Sequence, residues 1–162
     1  MTYGLYSYGV AAYGASMTLF QTGGLTAEER IELALFKSVH ALQLTEDLPR
    51  AWPNVPFTPS SPLSTYIRVQ HLPNVNTRRA SKSDDPHLRQ GILQLTVVSP
   101  LRLGPSPSRA LASTIAYQYP ADLALFESGA KVRIQSAPDV VPPEKTDVSW
   151  DARVDVRYEC LI

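Results

Sequence analysis

The sequence predicts an α+β fold in one domain: a four-stranded antiparallel or mixed sheet carrying two helices, in the order α-β-β-α-β-β. Three observations carry that expectation. Two segments space their apolar residues as helices do, and four show the alternation or the continuous apolar run of strands. The chain is 162 residues long, enough for one buried core, and 44% of it is apolar. Fourteen prolines keep the regular elements brief and the connections stiff. An extended N-terminal arm (residues 1–24) is expected before the domain (residues 25–162).

The arm reads MTYGLYSYGVAAYGASMTLFQTGG. It has neither the basic start of a secretory leader nor the unbroken apolar run of a membrane helix. Its glycines loosen the backbone, while Tyr3, Tyr6, Tyr8 and Tyr13 offer large contact areas at low entropic cost. They are candidates for contact with the body or with a neighbouring subunit.

A helix is expected over 26–44. Thr26 and Glu29 form a capping box, and Ile31, Ala34, Leu35, Ser38, Val39 and Leu42 trace one face. Five prolines between 49 and 62 then mark an extended crossover anchored by Trp52 and Phe57. A strand over 65–72 places Ile67, Val69 and His71 on one side. A second strand over 88–99 is apolar on both faces, which suits a central position. Between them, residues 73–87 make a polar loop of a length that usually has a task. Ser106 and Pro107 signal the start of a second helix ending near Tyr119. A short strand over 131–135 buries Val132 and Ile134. The last element alternates over twelve residues: Val148 to Tyr158 apolar, with Asp151, Arg153, Asp155 and Arg157 on the other side.

Composition excludes several classes of function. Fifteen basic and fifteen acidic residues cancel, which disfavours a protein that wraps nucleic acid or grips an anionic membrane. The single cysteine, Cys160, rules out an intramolecular disulfide framework and a cysteine-rich metal site. No phosphate loop, zinc-protease motif or nucleophile elbow is present. His40 suits a helix C-terminus, and Asp84, Asp85 and His87 fall within four loop positions without a second ligand cluster. No cofactor or metal is expected, and no enzymatic activity. An enzyme would need a concavity gathering His71 or His87 with a carboxylate. What the chain offers is surface: Arg78, Arg79, Lys82, Asp84 and Asp85 in the polar loop, and the alternating charges of the last strand. Alternating signs suit a repeated subunit contact, where each charge meets its complement on a symmetry mate.

With the elements placed, the chain resembles the phage tail terminators, the lambda-type group and the minor tail proteins of long-tailed phages and gene-transfer agents. The resemblance lies in the amphipathic first helix and in Trp52-Pro53-Asn54-Val55-Pro56-Phe57-Thr58-Pro59 leading to Tyr66-Ile67-Arg68-Val69. It continues through Arg89-Gln90-Gly91-Ile92-Leu93-Gln94-Leu95-Thr96-Val97, the 107–119 helix, the 132–134 strand and the closing strand. It implies a homohexameric ring at the head-proximal end of the tail tube. Such a ring stops polymerisation of the major tail tube protein and presents a surface to the head-side connector or neck protein. DNA passes through it without specific binding, and no membrane is involved. Localisation would be the neck region of the virion tail, after assembly in the host cytoplasm. Loop 74–86 and the Asp151, Arg153, Asp155 and Arg157 face then become ring and tube contacts. The Gly/Tyr-rich arm departs from compact family members and keeps open a head–tail connector or tail-completion subunit. A cellular protein-interaction domain is the remaining alternative.

Overall fold

The computed structural model describes residues 24–79 and 85–162. The expected four-stranded sheet is corrected: the described residues form a nine-stranded mixed sheet with two α-helices. In chain order the elements are α1 (Ala27–His40), β1 (Arg50–Ala51), β2 (Tyr66–Pro73), β3 (Thr77–Arg78) and β4 (His87–Pro100). A 3-10 turn (Leu101–Leu103), α2 (Pro105–Tyr117), β5 (Ala124–Glu127), β6 (Ala130–Ile134), β7 (Asp139–Val140), β8 (Glu144–Lys145) and β9 (Ser149–Leu161) follow. The main order is β1-β2-β4-β9-β6-β5, with β3 beside β4 and with β7 and β8 beside β9. Only β1 and β2 pair parallel; every other pairing among the described residues is antiparallel.

Prolines explain most of the difference. The chain on one side of β9 is a single segment cut into β6, β7 and β8 by Pro138 and by Pro142-Pro143, which cannot donate to a ladder. Of these, β7 and β8 have two residues each, too short to show a period. The β5–β6 hairpin turns on Ser128 (φ 48°) and Gly129 (φ 84°), two left-handed residues that match the twist of the strands.

The long strands run where the sequence places them. β4 is central, paired with β9 from Leu88↔Leu161 to Pro100↔Ser149 and with β2 from Tyr66↔Val98 to Pro73↔Gly91. One face of the sheet carries Ile67, Val69, Leu93, Leu95, Val97, Ala152, Val154, Val156 and Ile134, all buried. Helix α1 lies over β5 and β6, and α2 over β4 and β9, so this face is the core. Burying one such aliphatic side chain contributes about 1.5–3 kcal/mol.

Helix α1 has its full capping box: Thr26 Oγ1 accepts from the Glu29 amide at 3.3 Å, and Glu29 Oε2 accepts from the Thr26 amide at 2.7 Å. The helix stops at His40, four residues short of the expected end. Helix α2 begins at Pro105, with Gly104 at its cap and no side-chain cap bond; Ser106 lies inside it. The C-terminal ends of the two helices are tied by a reciprocal pair. The Gln43 amide donates to Gln118 Oε1 at 2.8 Å, and Gln118 Nε2 donates to the Gln43 carbonyl at 2.6 Å. In the crossover, Trp52 is buried against Phe36, and Phe57 meets Tyr66 at 4.9 Å between ring centres.

Candidate subunit interface

Both described helices pack on the same side of the sheet, and its second face carries a lattice of charges. On β9, Asp151, Arg153, Asp155, Arg157 and Glu159 all point there, because they alternate with the buried Ala152, Val154, Val156 and Tyr158. Register adds Arg68 from β2, Thr96 and Gln94 from β4 and Arg133 from β6.

These charges are paired within the chain. Arg157 Nη1 lies 2.6 Å from Asp139 on β7, Arg153 Nε 3.3 Å from Asp155, and Arg68 Nη1 3.8 Å from Asp151. Gln94 Nε2 donates to Asp155 Oδ1 at 3.0 Å, and Ser149 Oγ donates to Asp151 Oδ1 at 2.6 Å. Arg133 bridges Glu159 and Asp122. Donation from Arg133, then from Gln135, holds the Glu159 carboxyl below its usual range, and the charge of Arg79 contributes in the same direction. Arg153 and Arg157 remain about half exposed, 46% and 49%.

Of the residues singled out from the sequence, Asp151, Arg153, Asp155 and Arg157 come together as one row. Arg78 sits in β3 opposite His87, Arg79 follows it exposed, and Asp85 is half-buried at the far side of the loop. Tyr3, Tyr6, Tyr8, Tyr13, Lys82 and Asp84 lie outside the described residues. Sequence reasoning missed Arg68, Gln94 and Asp139 as members of the lattice. Their polar positions are visible along the chain, but only the pairing register brings them to β9. The expected alternation also begins late: Val148 stands outside the strand at 78% exposure, and Ser149 is buried.

Two of the concavities among the described residues lie at opposite ends of the sheet. One, of about 480 Å³, opens between the proline crossover and the β8–β9 turn and is lined by Pro59, Tyr66, Val98 and Val148 among others. The other, of about 280 Å³, lies at the opposite end beside the first turn of α1, with His71, Glu28, Glu32 and Tyr158 in its wall. His71 is thus gathered with carboxylates, yet its Nε2 is hydrogen-bonded to Tyr158 Oη at 2.7 Å. Burial depresses the imidazole and pushes the Tyr158 hydroxyl up to about 12, so near neutral pH the pair is uncharged. Glu28 is committed to Arg89. Among the described residues, no three His, Cys, Asp or Glu side chains cluster as metal ligands, and no helix is long and apolar enough to cross a membrane.

No curated protein matches the chain. Among the solved structures similar to it, one has a TM-score of 0.69 and 25% identity, covering 86% of this chain and 98% of that one. A model of the family described as phage tail terminator protein matches residues 30–158, from the first turn of α1 to Tyr158 near the end of β9. By that match this chain belongs to the phage tail terminator protein family, whose role is structural and in the virion tail.

Proposed function

We propose that this chain is a terminator subunit that closes into a homohexameric ring on the head-proximal end of the tail tube. The ring stops addition of the major tail tube protein and offers its other side to the head-side connector or neck protein. The observation that carries this reading is the sheet face bearing Asp151, Arg153, Asp155 and Arg157. Both described helices pack on the other side of the sheet, so a neighbouring copy can use this broad, rigid surface. Pairing within the chain fixes the positions of the charges, and the half-exposed Arg153 and Arg157 keep donor capacity for a second acceptor. Arg78, Arg79, Lys82, Asp84 and Asp85 extend the contact from the polar loop, and the tyrosines of the N-terminal segment add an aromatic one. Overall neutrality suits a channel through which DNA slides, since a dense positive lining would retain phosphates.

Negative-stain imaging of the purified protein, alone and mixed with its tail tube protein, tests the proposal. Rings of six that sit on tube ends and arrest growth are the expected result. A monomer that leaves tube growth unchanged removes the terminator role. Rings that ignore the tube but bind the connector move the protein to the head side of the junction.

A further inference from the structure

The smaller concavity lies where the described chain begins. Glu28, in the first turn of α1, is on its rim, and Gly24 is four residues upstream. Its walls suit a tyrosine side chain. Ile31, Pro73 and the Tyr158 ring offer apolar contact, while His71, Glu32 and Arg89 supply polar groups. Arg89 uses Nη1 on Glu28, but its buried Nε has no acceptor among the described residues. A buried donor without an acceptor costs about 1–3 kcal/mol, and a phenolic oxygen entering the pocket would satisfy it.

The sequence before Gly24 carries such groups in a repeat: Tyr3-Gly4, Tyr8-Gly9 and Tyr13-Gly14, five residues apart. Tyr13 is eleven residues from Gly24. An extended chain of that length spans about 36 Å, and a domain of this size is about 36 Å across. Tyr13 and the tyrosines before it are therefore far enough along the chain to extend to an adjacent copy. Reaching their own pocket requires the intervening residues to double back.

We infer that the pocket between α1 and the β2–β4 hairpin receives a tyrosine from the N-terminal segment of the neighbouring subunit. The ring of the tyrosine lies against Ile31 and Pro73, and its hydroxyl accepts from Arg89 Nε. This rests on the ring reading and names where the aromatic segment binds.

Hydrogen exchange of residues 71–76 and 89–91 is compared in the full chain and in a full-chain Y3S/Y6S/Y8S/Y13S variant. Mass by light scattering is recorded on the same samples across a dilution series. Protection in the assembled wild type that falls at least about tenfold in the variant, and on dilution, supports the inference. A Tyr→Phe version of the same four changes should retain part of it, because the ring still packs. Assembly with identical exchange in wild type and variant overturns the inference and leaves the ring intact. Tyrosine-dependent protection that survives dilution to the monomer overturns the neighbouring-subunit assignment, because the segment then binds its own chain. Neither assembly nor protection overturns both.

Discussion

Gly91 shows how one residue conditions a whole corner of the sheet. A Cβ added there would stand 2.6 Å from Tyr158 Oη and 2.7 Å from the Leu72 carbonyl oxygen. The second is backbone in a paired strand and cannot swing aside. Gly91→Ala should therefore cost about 1–3 kcal/mol, as overpacking does, seen as a lower urea midpoint with an unchanged slope. The same corner controls a pH response. Because burial lowers the His71 pKa from 6.5, the unfolded chain takes up this proton before the folded one does. The stability contributed by the neutral histidine is complete above pH 6.5 and is lost as pH falls below it toward the depressed folded value. Glu127, held down by donation from Lys37, and Glu159, held down by Arg133, act in a lower window, below about pH 4.5. Denaturation midpoints at intervals between pH 7.5 and 5 should fall with acid in the wild type. His71→Gln should flatten that slope, and an unchanged slope would remove His71 as its source. The sequence shows His71 on the buried side of its strand, but its partner Tyr158 is 87 residues away. No local pattern encodes that pairing.

At the level of elements, legibility followed length. Helix α1 and strands β2, β4 and β9 can be read directly because each runs long enough to display a period and, for α1, a capping box. Thr26→Ala removes one half of that box and should cost about 1 kcal/mol in chemical denaturation without altering the fold. The short pieces escape the same reasoning. Strands β1, β3, β7 and β8 are two residues each and exist only because a long neighbour presents its edge. A proline reads along the sequence as the end of structure, whereas here Pro138, Pro142 and Pro143 merely divide a segment that stays alongside β9. Helix α2 is misread by two residues because Ser106-Pro107 satisfies the start rule as well as Gly104-Pro105 does, and the left-handed Gly104 (φ 70°) decides it. The candidate interface was half legible for the same reason. Its β9 row follows from period two, but its completion by Arg68, Gln94, Asp139 and Arg133 depends on register across four other strands.

For the whole molecule the question is what a sheet with its described helices on one side does with the other. Arg153 and Arg157 are half exposed, and each has an acidic partner in its own chain, an arrangement that adds little stability to a monomer, about 0–1 kcal/mol per pair. Their removal is therefore a selective probe of assembly. Arg153→Glu with Arg157→Glu replaces two positive charges with two negative ones and takes the formal net charge from +0 to −4. It sets glutamates beside Asp155 and Asp139. The isolated subunit should keep its thermal midpoint to within a few degrees, since each lost pair is weak. A ring multiplies the effect: every subunit contact meets the reversed row at once, and like charges facing one another across an interface cost several kcal/mol. Light scattering at matched concentration should then show the double variant at monomer mass where the wild type is a ring. Raising the salt should partly restore the larger species, because screening shortens the reach of the repulsion. If the variant keeps the mass of the wild type at low salt, the charged face is not where subunits meet. The contact would then have to lie at the polar loop or the sheet edges.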